Sequence, residues 1–242
     1  MTPARPAAAR DRLAASGWWL LAMAAAAVPA FWPRYLARPF ADVDAYTHVH
    51  AAVMAVWTVL LVAQPFLSRG AGRPVHRVLG RVSFVVGPAV MLSSILLAHQ
   101  RFSAMDAGTL AVEAPNLYLP LSAVAVFLPA FAGGVRLRRR SAEHARFMVC
   151  TAFPLIDPVV GRLLGIFAPP LPHPLLYQAI TFGGGDLLLG ALAVRDRASR
   201  AGWVLRAMLG WSVLVHAGWF TLAQRPIWRT FVQWFVSWPL TP

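Results

Sequence analysis

Residues 47–68 read THVHAAVMAVWTVLLVAQPFLS, a stretch with no Asp, Glu, Lys or Arg. Wound as a helix at about 1.5 Å per residue, it reaches across roughly 30 Å of hydrocarbon. It lacks the polar–apolar alternation of a barrel strand, so a helix must satisfy its backbone. Comparable apolar runs lie on either side, at 17–33, 81–100, 116–137, 146–168, 175–194 and 203–224. The expected fold is an all-α integral membrane protein, a seven-helix transmembrane bundle. Residues 1–16 read as a basic cytoplasmic tail and 17–224 as the transmembrane helical domain. Residues 225–242 are too short to cross. There Trp228, Phe231, Phe235 and Trp238 recur at helical spacing, the pattern of an interfacial amphipathic C-terminal helix.

Composition points the same way. Of the 242 residues 58% are hydrophobic and only 13% charged, about half the charged share of a soluble domain. Every basic residue is Arg, and the formal charge is +13. In a soluble protein that excess would suggest nucleic acid. Here the arginines stand between apolar runs, where they set topology and meet anionic headgroups, so the lipid bilayer is the expected partner and nucleic acid is not. Sixteen arginines fall in the N-terminal tail and alternate connections, against five on the other side. That asymmetry places the N-terminus in the cytoplasm. The basic leader, first apolar run and Val28-Pro29-Ala30 also fit a cleaved signal peptide, which would leave six spans with unchanged orientation. The lone Cys150 offers neither an intrachain disulfide nor a CxxC pair.

Ionisable groups at membrane depth are costly and mark candidate sites. On the outer side His48 and His50 open one run and His99 closes the next, with His216 in the outer half of the last. His48 and His50 point about 200° apart on a helix, and His50, which shares a face with Met54, Trp57 and Gln64, is the better ligand. On the inner side HRVLGR supplies His76, Arg77 and Arg81, and EHARFM supplies His144 and Arg146. Two imidazoles beside three guanidiniums could hold a haem iron and its propionates, or form a headgroup-binding ring.

At mid-depth, FPLIDPVVGR places Asp157 between Pro154 and Pro158, followed by Arg162. Both prolines remove backbone donors, so a kink is expected at the aspartate. The next run carries Gly183, Gly184, Gly185 and Asp186 at matching depth. Arg162 is the expected counter-ion for one carboxylate. The group is either a structural salt bridge between two spans or a proton-handling or substrate site at a broken helix.

The segments HVHAAVMAVWTVLLVAQPFL, GRPVHRVLGRVSF and HARFM…GRLLG resemble a family of bacterial polytopic membrane proteins of unknown function. The resemblance covers about the central half of the chain and points to His50, His76, Arg81, His144 and Arg162. It implies a multi-pass protein of the bacterial inner membrane and carries no activity. A weaker similarity is to di-haem b-type transmembrane cytochromes, which place histidine pairs near both membrane faces. The chain departs from them at 116–137, which offers Asn116 and Tyr118 but no histidine.

The leading expectation is a haem-binding or redox-associated membrane protein. It would hold haem b through His76 and His144 inside and His50 and His99 outside, with a quinone or other redox partner. The alternatives are a proton-coupled small-solute carrier using Asp157, Arg162 and Asp186, and a non-catalytic membrane scaffold.

Overall fold

The computed structural model describes residues 6–68, 70–168, 170–171 and 173–241, with backbone alone at 6–15 and 174. Arg5 and Arg69, two of the arginines that set the expected orientation, lie outside the described residues. Among the described residues there are helices and no strands. They are α1 (Pro6–Phe31), α2 (Ala45–Leu67), α3 (Arg73–Ser103), α4 (Ala107–Glu113), α5 (Tyr118–Arg136), α6 (Ser141–Cys150), α7 (Ile156–Phe167), α8 (Pro174–Arg195), α9 (Trp203–Phe220) and α10 (Pro226–Val236).

Local chemistry fixes the boundaries. Asp44 caps α2, its carboxylate accepting from the Thr47 amide at 2.8 Å and hydroxyl at 2.6 Å. Asp106 repeats the device on α4 with Thr109. Each side chain satisfies amides that the first helical turn leaves unpaired. A π-helical turn, Trp32–Leu36, follows α1, and a tight 3-10 turn, Ala114–Leu117, feeds α4 into α5. The chain enters α3 through Gly70 at φ +51°, a left-handed conformation that suits glycine. Helix α3 starts eight residues before the apolar run at 81–100, so His76 and Arg77 lie within its first turns.

Five helical stretches are long and apolar enough to cross a membrane: Ala45–Leu67, Gly70–Ser103, Ala107–Arg136, Ser141–Phe167 and Leu175–Arg195. Helices α1 and α9 pack among them. Helix α1 lies on α2, α2 on α3, α3 on α5, α5 on α9, α9 on α8, α8 on α7 and α7 back on α1, closing a ring; α6 sits against α5 and α9. The expected tail at 1–16 is helical from Pro6, continuous with the first apolar run.

Large apolar side chains are distributed inside and out. Trp57 is 1% exposed, yet Val85 is 73% and Leu187 77% exposed. A water-soluble surface would not carry so many outward valines and leucines, whereas lipid solvates them. Inside, Trp57 meets Phe127 and Phe131 edge-on at 5.2 and 5.8 Å, fastening α2 to α5. Gly87 lets α3 approach Phe131, and Gly133 and Gly134 admit Phe147 and Met148 of α6. Helix α10 is amphipathic as expected, but Trp228, Val232 and Phe235 turn toward the bundle, packing with Phe102, Leu117 and Trp219. The indole N–H of Trp228 donates to the Ala114 carbonyl at 2.9 Å, a partner that a purely lipid-facing tryptophan would lack.

Candidate functional site

The span 141–167 is two helices rather than one. Pro154 and Pro158 have no N–H to offer the carbonyls of Cys150 and Pro154, so the α-helical ladder cannot run through. The chain instead passes from α6 through close turns and a 3-10 turn, Phe153–Leu155, and restarts at Ile156. Asp157 therefore stands in the first turn of α7, beside the break.

Its carboxylate accepts from the Thr181 hydroxyl of α8 at 2.5 Å. One turn along α8, Asp186 is held from α9: Ser212 donates its hydroxyl to Oδ1 at 2.7 Å, and His216 Nδ1 lies 2.9 Å from Oδ2. Ser212 and His216 are four residues apart, on one face of α9. Phe182, four residues before Asp186, stacks on the imidazole with centroids 4.1 Å apart and planes 5° from parallel. Nδ1 is thus committed to Asp186 and Nε2 is the ring nitrogen left over.

Asp157, Thr181, Phe182, Ser212, His216 and Ser122 of α5 line one cavity of about 20 Å³. That is room for about one water with several polar partners. Four helices therefore deliver three hydroxyls, an imidazole and an acid to one water-sized chamber, with the second acid, Asp186, held behind it by Ser212 and His216.

Arg162 does not play the expected part. Neither carboxylate lies within 4 Å of it. Its Nη1 donates to the Pro158 carbonyl at 2.8 Å, and its guanidinium carbon sits 4.4 Å from the Phe31 ring centroid of α1. Five residues beyond Asp157 on α7, it points away from α8 and toward α1. The counter-groups of the two acids are hydroxyls and His216.

The histidines expected on the outer side part company. His50 Nδ1 meets the Ser93 hydroxyl of α3 at 3.1 Å, with Arg101 and Arg162 the nearby cations. His99 is 1% exposed, edge-on to Phe235 beneath α10, with Nδ1 2.7 Å from the Thr241 hydroxyl and Nε2 buried without a partner. Among the described residues no shared partner joins them.

The histidines expected on the inner side, His76 and His144, are arranged alike. His76 Nδ1 is 3.3 Å from the Gln64 carbonyl and His144 Nδ1 2.7 Å from the Gly134 carbonyl. Donation from Nδ1 leaves Nε2 free as a lone-pair donor in each ring, the tautomer that metal-ligating histidines use. Arg146 is already engaged: Nε and Nη2 grip Asp196 at 2.6 and 2.7 Å, and Nη2 also reaches Ser199. Arg77 and Arg81 are exposed on α3. Among the described residues no cluster of three or more His, Cys, Asp or Glu side chains is placed to hold a metal ion.

Sequence reasoning passed over Thr181, Ser212, Ser122 and Phe182. Only the Ser212–His216 spacing carried a signal, because neutral hydroxyls in apolar helices more often bond their own backbone. No protein-family model matches the chain, and no curated protein and no solved structure matches it either.

Proposed function

We propose that this chain is a proton-coupled small-solute carrier with Asp157, Asp186 and His216 as its proton-handling group. The observation that carries the reading is the convergence of Asp157, Thr181, Ser212 and His216 on one water-sized chamber at a helix break. Carboxyls and an imidazole in a low-dielectric bundle are expensive. Sharing a proton among them lowers the net charge that must be buried. The hydroxyls of Thr181 and Ser212 are donors to a carboxylate and can rotate to accept from a carboxylic acid, so they suit either state. A broken helix leaves free backbone groups beside the site and gives α7 a hinge against α6.

In this reading α1 and α9 also cross the membrane. They bring the spans to seven, with the N-terminus in the cytoplasm and α10 at the outer face of a bacterial inner membrane. The support is the arginine asymmetry and the ring of helix contacts, in which α1 and α9 occupy positions equivalent to the five apolar spans.

The test is solute-driven proton movement in proteoliposomes enclosing a pH-sensitive dye, challenged with pools of small solutes. Asp157→Asn should abolish the dye response to any active pool while the protein still reconstitutes. An unchanged response in that variant would overturn the assignment.

A second reading rests on the inner histidines. His76 and His144, each with Nδ1 on a backbone carbonyl and Nε2 free, would ligate a haem iron that supplies one-electron chemistry; Arg77 and Arg81 follow His76 on α3 with exposed side chains. The chamber of about 20 Å³ cannot take a macrocycle, so such a group would sit at the inner helix ends. Purified protein supplemented with haem should then show a Soret band that His144→Ala removes; a colourless preparation ends this reading.

A further inference from the structure

The π-helical turn after α1 and the outer half of α7 enclose a cleft of about 190 Å³, lined by Ala30, Pro33, Arg34, Gly161, Arg162, Gly165 and Ile166. It is smaller than the roughly 300 Å³ at which pockets for drug-sized ligands begin. Its two charged side chains are both arginines, and among the described residues no carboxylate lies within 4 Å of either. Arg101 and Arg34 are the cations close enough to repel Arg162, and Asp157 is the acid that attracts it. Placing guanidiniums together at the edge of a lipid-embedded bundle costs free energy unless an anion joins them.

The guanidinium of Arg162 is oriented in advance. One N–H is tied to Pro158, and the Phe31 ring holds the planar group by a cation–π contact. Its remaining N–H groups have no protein acceptor among the described residues. Arginine's fork of donors matches the oxygens of phosphate and carboxylate. Arg34 is carried by the wide turn in which Ala37 N–H reaches back to the Trp32 carbonyl at 2.8 Å. The α7 wall is bare: a Cβ at Gly165 would meet nothing within 4 Å, and one at Gly161 only the Thr181 methyl at 3.6 Å. Gly161 therefore stands between the cleft and Thr181, the residue whose hydroxyl holds Asp157.

We infer that this cleft is an oxyanion site in which Arg34 and Arg162 hold a phosphate- or carboxylate-type group. The inference deepens the carrier reading by naming its solute class, and rests on that reading only for the coupling. An anion on Arg162 screens the positive charge that Asp157 feels along α7, which favours a proton on the carboxyl; anion and proton then bind together. The other groups facing this region are His50 and Arg101 across the bundle, and His216 in the chamber.

The experiment measures the unfolding midpoint of the full chain in phosphatidylcholine nanodiscs against inorganic phosphate, acetate and added phosphatidylglycerol. At least one probe should raise the midpoint saturably. Arg162→Gln and Arg34→Gln should each weaken that response roughly 10- to 100-fold, the loss of charged hydrogen bonds. Gly165→Phe, which fills the cleft without changing charge, should abolish it, and Arg229→Gln should leave it intact. A response to phosphatidylglycerol alone identifies a lipid headgroup as the source, and one to phosphate or acetate a dissolved anion. No response to any probe, or an undiminished response in both Arg162→Gln and Gly165→Phe, overturns the site. Asp157→Asn separates the two proposals: it should retain anion binding while losing proton movement. Binding without coupling in the wild type therefore sinks only the carrier reading.

Discussion

Asp186 and His216 meet across the α8–α9 contact with Nδ1 2.9 Å from Oδ2, and Ser212 closes the other carboxylate oxygen at 2.7 Å. Both carboxylate oxygens are satisfied, by groups one helical turn apart on a single neighbouring helix. Removing one partner strands the other in the bundle interior. Asp186→Ala and His216→Ala should each cost about 1–3 kcal/mol, and the double variant distinctly less than their sum. Equilibrium unfolding in mixed micelles reads the cycle; strict additivity would show that the pair is not energetically coupled.

Gly87 admits the ring of Phe131 where a Cβ would collide with it. Gly87→Ala should destabilise the α3–α5 contact by about 1–3 kcal/mol, the usual cost of overpacking. Phe131→Leu added to that background should recover part of the loss. The rescue is measured by thermal aggregation in detergent, and its absence would mean that α3 shifts as a whole.

The Arg146–Asp196 pair ties α6 to the end of α8 with side chains 15% and 17% exposed. Asp196→Ala leaves a guanidinium without its carboxylate and should cost about 2 kcal/mol, below the figure for a fully dry pair. Hydrogen exchange should rise at the α6 N-terminus and in residues 196–202. Exchange confined to the substituted residue would count against this latch.

Asp44 at the start of α2 carries a pH signature. Partial burial raises its carboxyl, but the Thr47 hydroxyl and amide and the charge of Arg101 outweigh that and hold it below the ordinary aspartate value. A depressed folded value means the stabilisation is present above the unfolded value, near 3.9, and is lost as pH falls through the folded one. Asp44→Ala should therefore cost about 1 kcal/mol at neutral pH and nothing once acid has protonated the wild-type cap. A penalty independent of pH would refute the capping role.

Much of the architecture was legible because lipid imposes a coarse rule on the chain. The run 47–68 could only be a helix once its length and lack of charge were seen, and α2 runs Ala45–Leu67. Pro154 and Pro158 announced the break beside Asp157, since an imino nitrogen has no proton to give. The site was half legible. Asp157, Asp186 and His216 stood out as costly groups, but their partners did not. Thr181 and Ser212 look ordinary in sequence, and Arg162 looked like the counter-ion because five residues is a short distance along the chain.

What the sequence by itself determined is the helical, membrane-embedded character, the helix break and the identities of the buried ionisable groups, all consequences of one-dimensional composition and spacing. Which groups face each other was decided only by tertiary structure. Rotation of α7 about its axis turns Asp157 toward Thr181 and Arg162 toward Phe31. That azimuth is set by packing against α8, the next helix, and α1, more than a hundred residues earlier in the chain, and no local pattern in residues 153–162 encodes it.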